Sequence, residues 1–169
     1  ADITGAVLSP EGLAKLAAID PATLPVVEGS PRYGVPVGSV GKFLAIGLNF
    51  ADHAKEAGLE PPPEPIFFTK ATSCLNGPND DVMLPKDAVK GDWEVELGVV
   101  IGKLARYVPE HEAMDHVAGY CVCNDVSERD YQMNRGGTWD KGKGCDTFGP
   151  TGPWMVTKDE VSDPQDLPL

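Results

Sequence analysis

Acidic and apolar residues alternate between residues 91 and 101, in the segment GDWEVELGVVI. Successive side chains of an extended chain point to opposite faces, so the pattern predicts a strand with Asp92, Glu94 and Glu96 on one face. The apolar run 99–101 predicts that this strand is buried on both sides at its end. Carboxylates entering a buried strand suit a hard cation such as Mg²⁺, and the alternative is a half-exposed strand with an acidic outer face.

The same kind of periodicity predicts several further short elements. SPEGLAKLAAID predicts an amphipathic helix with Ser9 as N-cap, and ADHAKEAG predicts a short helix that ends at Gly58. KFLAIGL, PIFFTKA and VAGYCVC are predicted strands, and a turn of helix is expected near PEHEAMDHV. The 19 glycines and 16 prolines predict many loops. Short strands mixed with short helices favour the α+β class.

The 169 residues are enough for one domain with a substantial core. We predict that residues 1–40 form an appended arm or a small N-terminal element, and that residues 41–169 form the main domain. No apolar run reaches the roughly 20 residues of a membrane span, and the first residues do not resemble a signal peptide. The expectation is therefore a cytoplasmic protein.

The charge balance restricts the partners. A net charge of −12 argues against nucleic acid and anionic membranes, which bind through Lys and Arg. A small anionic substrate stays compatible, because a metal ion and a few local cations can outweigh distant acids. The four cysteines include no C-x-x-C pair, which favours buried free thiols in a reducing compartment over a zinc site.

Two constellations of acidic and basic residues could carry chemistry. Asp125 ends an apolar strand, and with Glu94 and Glu96 it would supply three carboxylates of an octahedral magnesium shell; singly, it could be a turn residue. His53 and Glu56 are three residues apart on one helix face, a spacing that suits a general-base pair or simply a solvated surface.

Cations that could meet an anionic substrate are spread along the chain. Lys143 lies among glycines in WDKGKGCDTFG, which let a backbone approach a ligand closely, although a mobile surface loop is the alternative. Lys70 and Arg129 are further candidates. Arg129 could instead be held by Glu128 or Asp130 as part of the structure.

Five blocks in one order, GLNFADHAKE, PIFFTKATS, GDWEVELGVVIG, VAGYCVCNDVSERDYQ and WDKGKGCDTFGPTGPW, resemble the fumarylacetoacetate hydrolase family. The resemblance runs from about Gly41 to the last residue. It implies an α+β fold, a mixed β-roll with short peripheral helices, of which this chain would hold the N-terminal portion. It also implies a homodimer.

The resemblance also implies an active site. It implies a divalent cation, Mg²⁺ or alternatively Mn²⁺, and a general-base pair on a lid-like helix. The residues that would take part are Glu94, Glu96 and Asp125 as metal ligands, His53, Glu56 and Lys143 as catalytic residues, and Arg129 and Gln132 near the substrate or the metal waters; Lys70 stays a substrate-binding candidate on its charge alone.

Within the family, DWEVELGVVIGK together with KGKGCDTFGPTGPW is similar to members that hydrolyse 2,4-diketo-3-deoxy sugar acids of the rhamnonate or fuconate type to pyruvate and a hydroxy acid. Ureidoglycolate lyase and an oxaloacetate-type decarboxylase are the alternative activities. Family members normally continue with a V-N-G-x-x-x-Q strand and a T-G-T-P-x-G-V-G loop, which are absent from this sequence. An inactive metal-binding fragment that needs a missing C-terminal half is therefore a further hypothesis, and a non-enzymatic interaction module is another.

Overall fold

The computed structural model describes residues 3–56 and 58–168. The helices are α1 Gly5–Leu8, α2 Pro10–Ala17, α3 Ala51–Glu56, α4 Arg129–Met133 and α5 Asp140–Lys143. The strands are β1 Phe43–Gly47, β2 Ile66–Lys70, β3 Leu75–Asn76, β4 Gly91–Asp92, β5 Val95–Ile101, β6 Val117–Asn124, β7 Ser127–Glu128, β8 Gly149–Pro150 and β9 Val156–Thr157. Short 3-10 helices cover Pro21–Thr23, Thr72–Cys74, Glu110–His116 and Lys158–Glu160. This mixture confirms the predicted α+β class.

Within residues 3–56 and 58–168 the strands form four small sheets. β1 and β2 pair antiparallel, β3 and β8 pair parallel, and β4 and β7 pair antiparallel. The largest sheet has the order β5-β6-β9 and is antiparallel throughout. Its register sets Glu96 opposite Cys123 and Leu97 opposite Val122. The acidic segment and the strand that leads to Asp125 are therefore direct neighbours.

The acidic segment is not one continuous strand. β4 ends at Asp92 and β5 begins at Val95, so Trp93 and Glu94 lie between two strands of different sheets. Glu94 is nevertheless fixed, because its carbonyl oxygen accepts from the Asp125 N–H at 2.9 Å. Its own N–H donates to the side chain of Asn124 at 3.1 Å. The backbone thus ties the Glu94 and Asp125 positions together.

The prediction that residues 99–101 are buried on both sides is wrong. Val99 is 50% exposed and Ile101 55% exposed, and Trp93 on the same face is 72% exposed. Val122 of β6, next to Leu97, is also exposed. The alternation itself is real, but the apolar side chains face outward, while Glu94 and Glu96 on the other face are partly buried.

The core lies under the long strand β6, most of whose residues are buried. A second cluster contains Cys74, Val126 and Phe148, with Phe43 and Cys145 packed against it. This cluster brings β1, the loop after β6 and the segment before β8 together. One of its members, Val126, directly follows Asp125 in the chain.

Two helix termini follow the sequence rules. Ser9 accepts a hydrogen bond from the Gly12 N–H at 3.1 Å, which confirms it as the N-cap of α2. Gly58 has φ 67° and donates its N–H to the Lys55 carbonyl at 3.1 Å, as expected of a residue that ends a helix. No helix within residues 3–56 or 58–168 is long and apolar enough to cross a membrane.

Candidate active site

The centre of the candidate site is the ammonium group of Lys143. Its Nζ donates to Glu94 Oε2 at 2.8 Å and to Asp125 Oδ2 at 2.9 Å. The Lys143 side chain is 3% exposed, so its ammonium group is shielded from bulk water. Charge-assisted hydrogen bonds of this kind are stronger than neutral ones. Lys143 therefore joins two of the three predicted metal ligands.

Arg129 extends the ion-pair network toward solvent. Its guanidinium contacts Glu94 Oε1 at 2.6 Å and Asp92 Oδ2 at 2.7 Å. It also donates to Gln132 Oε1 at 3.0 Å. The hydrogen bond from Arg129 holds the pKa of Asp92 below its ordinary value. Arg129 and Gln132 thus lie beside the carboxylates, and the alternative partners Glu128 and Asp130 are bonded elsewhere.

Lys70 lies on the buried side of the same network. Its Nζ donates to Asp125 Oδ1 at 2.5 Å and also to the carbonyl oxygen of Lys143. The network therefore alternates in charge, and its members in order are Lys70, Asp125, Lys143, Glu94, Arg129 and Asp92. Three cations balance three anions along this series.

Glu96 is outside that series and lacks a cation in hydrogen-bond contact within the described residues. Burial, followed by repulsion from Glu94 and Asp125, raises the pKa of Glu96 to about 7. A bound cation would reduce the repulsion between such half-buried carboxylates. Mg²⁺ prefers oxygen donors, which carboxylates supply. The donor chemistry therefore fits a hard divalent cation. No group of three or more His, Cys, Asp or Glu side chains comes together at ligand spacing in the described part of the chain.

The electrostatic strain at Glu96 makes stability depend on pH. Because its folded pKa of about 7 lies above the ordinary 4.5, the folded chain binds more protons than the unfolded chain between these values. The free energy of unfolding contributed by this group therefore falls as pH rises through that window. With EDTA present, we expect Glu96→Gln to melt above wild type at about pH 8 and close to it at about pH 5. Thermal unfolding followed by circular dichroism would measure this, with the exposed Glu64→Gln as control, and an unchanged difference at the two pH values would contradict it.

Lys143 reaches the carboxylates from a helix that the sequence analysis did not predict. The sequence analysis gave the glycine-rich segment around Lys143 either as a loop that approaches a ligand or as a mobile surface loop. The segment instead forms α5, in which Gly142 and Lys143 are both buried. A Cβ at Gly142 would lie 2.5 Å from the Glu128 carbonyl oxygen and 2.5 Å from the Gln132 nitrogen. The absence of a side chain at Gly142 thus lets α5 pack directly on α4 and directs Lys143 inward.

Gly142→Ala tests this close approach. The added methyl group meets backbone atoms, which cannot move independently, so we expect a loss of about 1–3 kcal/mol in the free energy of unfolding. Urea unfolding would measure the loss. Gly41→Ala is the matched control, because among the described residues, its chain neighbours aside, no heavy atom lies within 4 Å of a Cβ at Gly41. Equal stabilities of the two variants would contradict the account of how α5 is placed.

The proposed general-base pair is on a separate element. His53 and Glu56 lie on α3 as predicted, and both are exposed. Neither takes part in the ion-pair network around Lys143. The predicted site residues that lie together are therefore Glu94, Asp125, Lys143, Arg129, Gln132 and Lys70, with Glu96 beside them. The catalytic role of the α3 pair stays a prediction.

Glu128 is a structural member of the site that the sequence analysis considered only as a partner for Arg129. Its side chain is fully buried, and its carboxylate accepts backbone N–H groups of Val89, Lys90 and Tyr131 at 3.1, 2.8 and 2.7 Å. Burial raises the pKa of Glu128, but these hydrogen bonds outweigh it and hold the pKa below its ordinary value. The sequence did hold a signal for this role, because Glu128 is an acid at the start of a predicted helical turn, where a carboxylate can accept from backbone N–H groups.

Comparison with known proteins assigns a family to this arrangement. Residues 42–169 match the family model described as fumarylacetoacetate (FAA) hydrolase C-terminal. A provisionally named hydrolase of Burkholderia lata is 65% identical over 168 residues, which are 99% of this chain and 60% of that protein. The chain belongs to the fumarylacetoacetate hydrolase family.

Two solved structures from Mycobacterium smegmatis agree with that assignment. A provisionally named HpcE protein has a TM-score of 0.81 and 36% identity, over 95% of this chain and 57% of its own. A 5-carboxymethyl-2-hydroxymuconate delta-isomerase has a TM-score of 0.67 and 42% identity, over 75% of this chain and 50% of its own. These similarities confirm the predicted fold as that of the family, and the chain holds part of the family's domain. The chain spans about 60% of the length of the curated relatives that it matches.

Proposed function

We propose that this chain carries the metal site of a hydrolase that cleaves a C–C bond in a 2,4-diketo acid to give pyruvate and a hydroxy acid. The substrate class would be the 2,4-diketo-3-deoxy sugar acids of the rhamnonate or fuconate type. One observation carries the proposal: Lys143 and Arg129 converge on Glu94, with Asp125 and Glu96 beside it. The acids can hold a cation, and the two basic groups can bind an anion.

The three carboxylates of Glu94, Glu96 and Asp125 would hold the divalent ion, Mg²⁺ or Mn²⁺. When bound, such an ion would supply Lewis-acid polarisation of a substrate carbonyl. Both metals accept octahedral oxygen donors, so the residues alone favour neither.

The protein's own groups would bind the substrate by its charge. Arg129 offers a planar fork of N–H donors, which suits a carboxylate. Gln132 lies at its side, 3.0 Å from the guanidinium, and can donate its amide N–H to a keto oxygen. Together they would orient the pyruvyl end of the substrate toward Lys143.

Proton transfer would fall to the α3 pair, and stabilisation of developing negative charge to Lys143. His53, oriented by Glu56, would take a proton from water, and the oxygen of that water would add to the distal carbonyl carbon. The bond between this carbon and the central methylene carbon would then break, and its electron pair would pass to the pyruvyl enolate. The Lys143 ammonium would stabilise the enolate oxygen. A proton returned to the methylene carbon would complete pyruvate, and the other product would be the hydroxy acid.

A panel of 2,4-diketo acids with different tails tests the proposal. We expect pyruvate from at least one substrate with Mg²⁺ and none with EDTA. Lactate dehydrogenase coupled to NADH would measure pyruvate continuously. The absence of pyruvate from every substrate, with the metal shown to bind, both for this chain and for the chain fused to the rest of a relative's sequence, would contradict hydrolysis.

Isomerase activity is a second candidate, favoured by the similarity to the delta-isomerase of M. smegmatis. An isomerase would move a proton between two carbons and would keep all C–C bonds. It would therefore change the ultraviolet spectrum of an unsaturated keto acid without releasing pyruvate. Both signals can be recorded on one sample, so the two activities are separable.

The exposed apolar face of β5 favours a further possibility, that the described chain holds the site but needs more polypeptide for activity. Val99 and Ile101 of β5 lie on this face, with Val122 of the neighbouring β6 and with Trp93, which precedes β5. Apolar patches exposed in this way often mark interaction surfaces. The chain also spans only about 60% of its curated relatives. We propose that pyruvate release appears or rises when the rest of a relative's sequence is fused to this chain. We also propose that the protein is a homodimer in the cytoplasm. Size-exclusion chromatography with light scattering would test the dimer.

A further inference from the structure

We propose that Lys70 is a positioning residue, which fixes the carboxylate of Asp125 and the end of α5, and that it does not contact the substrate. The inference rests on the proposed function, because it concerns the same metal ligand. It replaces the predicted role of Lys70 as a substrate-binding cation.

The hydrogen bonds of Lys70 leave its ammonium no free donor. An ammonium has three N–H groups and no acceptor. Lys70 Nζ has three acceptors within reach, which are Asp125 Oδ1 at 2.5 Å, the Val126 carbonyl oxygen at 3.4 Å and the Lys143 carbonyl oxygen. The Lys70 side chain is 1% exposed. A substrate could reach Nζ only by displacing one of these partners.

The partners of Lys70 are the groups that need fixed positions. Asp125 Oδ1 accepts from Lys70 and Oδ2 accepts from Lys143, so the carboxylate plane is held from both ends. The second contact holds the carbonyl oxygen of Lys143 itself, at the end of α5. Lys70 therefore holds in place both the carboxylate of Asp125 and the end of α5, the helix that carries Lys143.

A neighbouring contact strengthens the same connection between β2 and α5. The Thr69 N–H donates to Asp140 Oδ1 at 3.0 Å, and the Thr69 hydroxyl donates to the same oxygen. Asp140 is the first residue of α5, and Lys143 is the last. β2 thus holds α5 at its beginning through Thr69 and at its end through Lys70.

The first test of the inference needs no substrate: it is the binding of Mn²⁺ to Lys70→Met, measured by electron paramagnetic resonance. Outer-shell partners of metal ligands commonly affect metal affinity by about 10–100-fold, and we expect a loss in that range. With Mn²⁺ saturating, we expect the KM for the diketo acid that gives pyruvate to change less than about threefold, because Lys70 would make no contact with the substrate. Lys141→Met is the matched control, because Lys141 lies on α5 but is exposed.

Lys70→Gln serves if Lys70→Met does not fold, because glutamine keeps an N–H donor in the buried site. Unchanged Mn²⁺ affinity in a folded Lys70 variant would overturn the positioning role. So would a KM raised more than about tenfold at saturating Mn²⁺, which a direct substrate contact predicts. A wild-type chain that binds no Mn²⁺ would overturn the proposed metal function and this inference with it. A wild-type chain that binds Mn²⁺, with a folded Lys70 variant that binds it equally well, would overturn this inference alone.

Discussion

Asp125→Asn is expected to lose both stability and metal-dependent activity, with the largest combined effect of any single change in the site. Asparagine cannot balance the ammonium groups of Lys70 and Lys143, whose side chains are 1% and 3% exposed. Removing one partner of a buried ion pair costs about 3–5 kcal/mol. As a metal ligand, Asp125 should also matter more than outer-shell partners, so we expect activity to fall more than about 100-fold.

Urea unfolding and Mg²⁺-dependent pyruvate release on the same preparation would measure the two effects of Asp125→Asn. Asp159→Asn is the control, because Asp159 is exposed. A stability within about 1 kcal/mol of wild type would mean that Asp125 does not compensate the two lysines. Retained metal-dependent activity would remove Asp125 from the proposed ligand set.

Glu128→Ala is expected to destabilise the fold by about 3 kcal/mol or more, since each of three backbone N–H groups loses its acceptor at about 1–3 kcal/mol. These donors belong to Val89, Lys90 and Tyr131. They connect the segment before β4 to the start of α4, which carries Arg129. We therefore also expect Arg129 to lose its fixed position beside Glu94.

The pH dependence of stability provides the control for Glu128→Ala. The folded pKa of Glu128 lies below its ordinary 4.5, so its stabilising contribution is present above pH 4.5 and is lost as pH falls through the folded pKa. The difference between variant and wild type should therefore shrink in acid. Urea unfolding at neutral and acidic pH would measure it, with the exposed Glu160→Ala for comparison. A difference that stays constant with pH would contradict the role of the carboxylate charge.

The periodicity of the acidic segment predicted which side chains share a face, but not which face is inward. Burying apolar residues is the usual outcome, yet Trp93 and Val99 face outward. The inward side is decided by distant residues, since Lys143 reaches Glu94 from 49 positions away and Lys70 reaches Asp125 from 55. Those contacts leave no local pattern in the sequence.

The glycine-rich segment before Cys145 shows a similar limit. Gly142 has a low helix propensity, and the sequence therefore favoured a loop. The helix forms because Gly142 permits contact with α4 at a distance that any side chain would prevent. By contrast, β6 was predictable, because an apolar run that ends in polar residues specifies a buried strand and its end without help from elsewhere.

A crystal structure of the chain grown with Mn²⁺, with anomalous differences recorded, would test the central claim most directly. The account predicts one anomalous peak about 2 Å from carboxylate oxygens of Glu94, Glu96 and Asp125. Lys143 should then lie away from at least one of the two carboxylates that it contacts in the present structure. A peak at other residues, or no peak while Lys143 keeps both contacts, would contradict the claim that these three acids form a metal site.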